Sequence, residues 1–209
     1  MTEKACTGIA LDAQAVRVLA HPLRSRLLSQ LRTGGPATAT DLAAALSTNT
    51  GATSYHLRKL ETVGLVTDTG EGEGKRRLWR ASTDYHSWTN SAFRDDEDTA
   101  TALDWLQRDY VRQQAQKAER WLDAASSWPA EWVDVFGLND TFVTVTPEQM
   151  RELNTRLYVL LAEYRTIGEG DPRACRASVD VFARPLDPDV VPGSDAPDND
   201  GSDSDGAER

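Results

Sequence analysis

Residues 40–66 read TDLAAALSTNTGATSYHLRKLETVGLV, two short amphipathic segments joined by a polar turn. Thr40 is placed to cap a helix over 41–46, with Leu42, Ala45 and Leu46 turned inward. Asn49 stands as the N-cap of a second helix over 49–61, where Thr53, Leu57 and Leu60 share one face at i, i+4 and i+7. The outer face of that helix carries Thr50, Gly51, Ser54, Tyr55 and Arg58, and Val63-Gly64-Leu65 closes it.

Working outward, residues 1–10 read as a ragged start, and helical spacing begins at Leu11 with Ala15, Val18 and Leu19. His21-Pro22 interrupts it, because the residue before proline avoids the α region. Pro22 suits the first turn of the next helix, whose apolar stripe is Leu23, Leu27, Leu28 and Leu31. Thr33-Gly34-Gly35-Pro36 ends it with a glycine placed for a left-handed C-cap. On the other side, 65–68 and 76–81 read as a β-hairpin around the Gly-Glu-Gly-Glu-Gly loop at 70–74, and Trp79 reads as its core anchor. Helix, helix, short helix, tight turn, helix, hairpin is the order of a winged helix-turn-helix, predicted over 11–82.

The stretch 18–81 resembles the ArsR-type family of bacterial and archaeal winged-helix repressors. The matching residues are Leu19-Ala20-His21-Pro22-Leu23-Arg24-Ser25-Arg26-Leu27-Leu28 and Ala52-Thr53-Ser54-Tyr55-His56-Leu57-Arg58-Lys59-Leu60, followed by Gly64-Leu65-Val66. The resemblance implies a prokaryotic transcriptional repressor. Many relatives sense metals through thiolates, but no cysteine stands between Leu46 and His56. No cysteine pair and no two histidines at i, i+4 occur in the chain, whose cysteines are Cys6 and Cys175. No metal or other cofactor is expected.

In a DNA-binding helix-turn-helix the start of the second helix faces base edges. Arg58 is suited to a guanine edge or a phosphate; Tyr55 to a sugar or phosphate; Thr50 and Ser54 to bases or backbone. Gly51 belongs to the same surface, and His56 and Lys59 are placed for backbone or helix-end contacts. In the wing, Lys75, Arg76 and Arg77 form a basic run suited to phosphate, opposed by Glu71 and Glu73 at the tip.

The 209 residues carry a net charge of -10, which looks wrong for a nucleic-acid binder until it is divided along the chain. Residues 15–82 hold 10 basic and 5 acidic side chains; residues 84–186 hold 11 and 18; residues 187–209 hold 1 and 8. The basic surplus therefore coincides with the helix-turn-helix, where phosphate would be met. No apolar run is long enough to span a bilayer and no basic-then-apolar leader opens the chain, so a cytoplasmic protein is expected. No phosphate-binding glycine loop and no catalytic spacing of nucleophile and base is present, so the reading is not an enzyme.

Residues 84–186 read as an α+β dimerisation or effector lobe, which makes the fold class mainly α with a small β component. A polar stretch ends in Asp95-Asp96-Glu97-Asp98, welcome at the N-terminus of a long helix over 99–125. Its stripe is Leu103, Leu106, Tyr110, Ala118, Trp121 and Leu122. Thr146-Pro147-Glu148-Gln149 is a capping box opening a helix to about residue 165, with Met150, Leu153, Leu157, Leu160, Leu161 and Tyr164 as its buried face. Alternation at 141–145 and 178–183 predicts two strands that pair. Five of the six tryptophans lie in 88–132, suited to a core and dimer interface, or to an aromatic effector pocket within 88–164. Residues 187–209 lose their apolar content and read as a disordered acidic tail, which could compete with DNA for the basic lobe.

The function these features favour is a sequence-specific DNA-binding regulator. It would be a dimeric repressor on a pseudo-palindromic operator of double-stranded DNA, reading it with helix 49–61 and gripping it with wing 65–81. Two alternatives stand beside it: an interaction module that kept the winged-helix fold but lost DNA binding, and a regulator that senses a small-molecule effector.

Overall fold

The apolar stripes converge on one core. Val16, Leu19, Leu27, Leu57, Leu60 and Leu65 are fully buried there, with Leu28, Leu42 and Val66 beside them. The computed structural model describes residues 7–72, 74 and 76–192. Cys6, Glu73, Lys75 and most of the acidic tail (193–209) lie outside the described residues.

Helix α1 (Ala13–Leu19) is capped by Asp12, whose carboxylate accepts from the Ala15 N–H at 2.8 Å. Helix α2 (Pro22–Gly34) starts on its proline and ends at Gly35, where φ is +81°. Strand β2 (Ala37–Thr38) leads into α3 (Ala39–Ala45). The cap of α3 is Thr38, not the expected Thr40. Asp41 sits at the third helical position and accepts from the Thr38 N–H at 3.1 Å, while the Thr38 hydroxyl accepts from the Asp41 N–H at 3.2 Å. That reciprocal pair satisfies two helix-end donors at once, which decides the start of the helix.

Ser47, at φ +51°, turns the chain from α3 into α4 (Thr50–Glu61), and Asn49 caps α4 by accepting from the Ala52 N–H at 2.8 Å. Strands β3 (Val66–Asp68) and β4 (Leu78–Ala81) form the wing, in register Val66↔Ala81 and Asp68↔Trp79. Strand β2 pairs on the other edge of β4, so the sheet order is β2-β4-β3. Trp79 is buried at 2% exposure and anchors the hairpin as expected.

The start of the described chain is not ragged. Strand β1 (Gly8–Ala10) pairs in parallel with β5 (Tyr85–Ser87), and Asp84 accepts from the N–H of Thr7 at 2.9 Å. Gly8 lies so close to the Tyr85 ring that a Cβ would overlap it. A short 3-10 turn, Asn90–Phe93, precedes α5 (Glu97–Ala124), which Asp96 caps and Glu97 and Asp98 open. Phe93, Leu103 and Leu106 join the same core as α1, α2 and α4. No break in packing therefore falls between 82 and 84, and α5 packs directly on α1. Polar contacts tie it further: buried Ser25 donates to Asp109 at 2.8 Å, and Gln113 donates to the same carboxylate at 2.6 Å.

Beyond Tyr110 the stripe on α5 comes to the surface, with Leu122 60% exposed. Helices α6 (Ala130–Val133) and α7 (Pro147–Glu163) follow, and the capping box of Thr146 and Gln149 opens α7 as predicted. The expected buried face of α7 is not buried. Leu153, Leu160 and Tyr164 are exposed, and Met150, Leu157 and Leu161 are only partly covered. Tyr158 of the helix stacks 6.1 Å from Tyr85, and just past the helix Arg165 pairs with Asp84.

Neither 141–145 nor 178–183 forms a strand. Alternation alone leaves backbone N–H and C=O groups unpaired, and both segments lie exposed without a ladder. Of the α+β character expected of 84–186, the strand component is β5 alone among the described residues, paired with β1 and not within the lobe. A second unit begins at Cys175; its described part, 175–192, holds neither helix nor strand, and Cys175 is exposed.

Candidate nucleic-acid interface

Thr50, Ser54 and Arg58 fall at i, i+4 and i+8 along α4, so they form one row on its outer side. That row borders a groove of about 200 Å³ whose other wall is Thr38, Ala39 and Thr40 at the start of α3, with Arg76, Arg77 and Trp79 from the wing. The fold thus brings five of the sequence-selected residues to one concave surface. Thr53, one position before Ser54, faces inward, fully buried, and its hydroxyl donates to the Asn49 carbonyl at 3.0 Å. Burial of Thr53, Leu57 and Leu60 fixes the rotation of α4 and so aims the polar row outward.

The cations differ in how free they are. Arg77 lies 3.4 Å from the Asp68 carboxylate, 3.9 Å from Glu61, and 5.7 Å over the Trp79 ring. It braces the wing against α4 as well as lining the groove. Arg58 and Arg76 are exposed, and neither takes part in an ion pair among the described residues. The field of Arg76 reaches Asp41, whose carboxyl is held below its ordinary range first by the Thr38 hydroxyl and N–H. Lys75 lies outside the described residues.

The remaining selected residues sit elsewhere on α4. Gly51 is exposed, and a Cβ there would meet nothing closer than the Asn49 side-chain oxygen at 3.4 Å. Packing gives no reason for glycine at that position. Tyr55 is 54% exposed, with the Lys59 ammonium 5.7 Å from its ring centroid and the His56 ring edge-on at 5.1 Å. His56 points away from the groove, toward α2, where its ring meets that of His21 at 4.4 Å. Burial lowers the pKa of both histidines, and the neighbouring Arg24 lowers both further. They are neutral imidazoles near pH 7.

The element order and the polar row agree with one known domain. Residues 19–69 match the family model of a helix-turn-helix domain. The match runs from the end of α1 through α2, α3 and α4 to just past β3. No curated protein is similar enough to the chain to count as a match. The helix-turn-helix therefore accounts for the α3–turn–α4 geometry, while β4, α5 and α7 lie outside the matched residues. A helix-turn-helix supports a DNA-binding regulator.

Of Thr38, Ala39 and Thr40, which form the far wall of the groove, sequence reasoning marks only Thr40, and as a helix cap rather than a site residue. The signal was present in the spacing of Thr38 and Asp41, a reciprocal cap that would have placed the start of α3 beside α4. It also treated Arg24 only as part of a family match, since the contact of α2 with α4 joins residues more than thirty positions apart. Among the described residues, no group of three or more His, Cys, Asp or Glu side chains is disposed to hold a metal ion, and no helix is long and apolar enough to cross a membrane.

Proposed function

We propose that the protein is a sequence-specific DNA-binding transcriptional regulator that lays α4 in the major groove and sets its wing on the flanking phosphates. The observation that carries this is the groove in which Thr50, Ser54 and Arg58 of α4 face Arg76 and Arg77 of the wing. Side chains with hydroxyl and guanidinium donors can hydrogen-bond base edges, and the wing cations supply the salt-dependent, sequence-independent share of affinity. Its likeness to ArsR-type regulators favours repression.

The regulator acts as a homodimer on a pseudo-palindromic operator. Support comes from the apolar residues left uncovered on α7 and on the far half of α5, among them Leu122, Leu153 and Leu160. A two-fold axis would set two copies of α4 on half-sites about one helical turn apart. A second reading, a small-molecule effector acting through the second lobe, draws on a group of rings there. Trp121 lies edge-on to Trp128 and Phe136 at 5.4 and 5.3 Å, and Trp132 stacks on Phe136 at 5.3 Å.

The test is titration of the purified protein with the duplex lying upstream of its own gene and with a scrambled duplex, at two salt concentrations. Preference for the upstream duplex that collapses in Arg58→Ala is the expected result. Equal, salt-insensitive binding to both, or none at low salt, would remove the proposal and favour an interaction module that kept only the fold.

A further inference from the structure

Two buried side-chain polar atoms among the described residues have no hydrogen-bond partner, and they belong to neighbouring residues in space: Nε of Arg24 and Nδ1 of His56. Arg24 stands in the first turn of α2, three residues after His21, whose own Nδ1 accepts from the Leu23 N–H at 3.1 Å. No carboxylate pairs with Arg24 among the described residues. Burial lowers its pKa, and the group whose field opposes that shift is Tyr55. One guanidinium and two imidazoles are thus packed together without an anion.

Such an arrangement opposes folding. A buried donor left without an acceptor keeps its full desolvation cost, and a charged group keeps more. A protein that only needed α2 to rest on α4 would be served better by an apolar side chain at position 24. What the cluster lacks is a negatively charged acceptor.

Its position says where that acceptor lies. At about 100° per residue along α4, Tyr55, His56 and Lys59 fall on the opposite flank from Thr50, Ser54 and Arg58. A helix with its side chains is about 10–12 Å across, and the major groove is about 12 Å wide, so a helix seated there shows one flank to each phosphate backbone. The wing lies on the Arg58 flank. The opposite flank carries Lys59 and Tyr55, with Arg24 and His21 of α2 beside them.

We infer that Arg24, with Lys59 on the same flank and the His21–His56 pair next to it, holds a phosphate of the DNA strand opposite to the one gripped by the wing. This rests on the DNA-binding function proposed above and adds a second grip to it. The phosphate supplies the charge and the acceptor oxygens that the free protein does not, and charge-assisted pairs of this kind are the stronger ones. Because it touches backbone rather than bases, the contact contributes equally on any sequence.

The experiment uses the full chain and the same upstream and scrambled duplexes, with Arg24→Met, Arg24→Lys and Arg76→Ala, and a thermal melt of every variant. Arg24→Met should bind both duplexes about 10-fold more weakly. Its plot of log affinity against log salt should be shallower by about 0.9, the loss of one phosphate contact. Its melting temperature should be equal to or above that of the parent, since a buried donor without an acceptor has been removed. Arg24→Lys should restore most of the salt slope. Unchanged affinity and slope in Arg24→Met, alongside weakened binding in Arg76→Ala, would overturn this second grip and leave the DNA-binding function standing. Should Arg24→Met melt lower, failure of Arg24→Lys to recover the slope would overturn it equally. Absence of binding by the parent to either duplex would overturn both.

Discussion

Nη1 of Arg32, at the end of α2, lies 2.6 Å from Nδ1 of His86 in β5. A guanidinium only donates, so Nδ1 is the acceptor and the imidazole is neutral with its proton on Nε2. That proton is donated to the Tyr110 hydroxyl of α5 at 2.9 Å. Three elements are thereby joined by one ring. Burial first, and the Arg32 charge second, hold the His86 pKa down at about 3. Burial likewise pushes the Tyr110 phenol well above its ordinary range.

The first prediction concerns acid. His86 titrates near 6.5 when unfolded and near 3 when folded, so between those values the unfolded chain binds the extra proton. Stability contributed by the neutral ring is complete above about pH 6.5 and is lost as pH falls toward 3, by at most about 1.4 kcal/mol per pH unit. Urea denaturation at pH 7, 5.5 and 4.5 should show a steeper loss in the parent than in His86→Gln, which keeps a donor and an acceptor without the titration. Parallel losses would refute the assignment. Asp84, held below its ordinary carboxylate range first by its bond from Arg165, adds a loss of its own as pH falls below about 4, but that loss is common to parent and variant and cancels in the comparison.

The second concerns Gly51. Alanine there has room and a better helix propensity, worth up to about 1 kcal/mol, so Gly51→Ala should raise the melting temperature. The same methyl group stands in the middle of the face offered to DNA and should weaken operator binding several-fold. A variant both more stable and equally tight would show that glycine is not kept for close approach.

The third separates the two wing arginines. Arg77 is engaged by Asp68, Glu61 and Trp79, whereas Arg76 has no ion pair among the described residues. Arg76→Ala should reduce the salt slope of DNA binding by about 0.9 with little change in stability. Arg77→Ala should cost stability by a few tenths of a kcal/mol to about 1 kcal/mol, as half-exposed ion pairs do. Salt-slope titration and chemical denaturation of both variants decide between them.

The fourth tests the parallel pair at the start of the domain. A Cβ at Gly8 would overlap the tip of the exposed Tyr85 ring, so Gly8→Ala must swing that ring away and should cost about 0.5–1.5 kcal/mol. Tyr85→Ala combined with it should recover part of that loss, measured by urea denaturation as a double-mutant cycle. Additive losses would mean that the ring and the glycine do not meet.

The helix-turn-helix could be read from sequence because its signals are local. Asn49 caps α4, Pro22 opens α2, and the leucines repeat at helical spacing, all within a few residues of one another. Strands β1 and β5 are three residues each and pair across more than seventy positions, so neither Gly8–Ala10 nor Tyr85–Ser87 displays an alternation to detect. The converse failure occurred at 141–145, where alternation was clear but no partner strand satisfies the backbone. At the site, the polar row of α4 followed from its cap and buried face. The cluster of His21, Arg24 and His56 did not, because the α2–α4 packing that creates it has no sequence period.

The long helix has a mechanical consequence. Its 28 residues span about 42 Å at 1.5 Å per residue. As far as Gln113 the helix is fastened to α1 by packing, to α2 by Asp109 and Gln113 through Ser25, and to β5 by Tyr110 through His86. Among the described residues, packing and three side-chain bridges join this shaft to the helix-turn-helix. In the proposed dimer, torque applied to the far half of α5 would be delivered through these contacts to α2 and so to the seat of α4. The spacing of two reading heads would then be set by the angle at which two rigid levers cross, and a small rotation at their crossing would become a large displacement at the DNA.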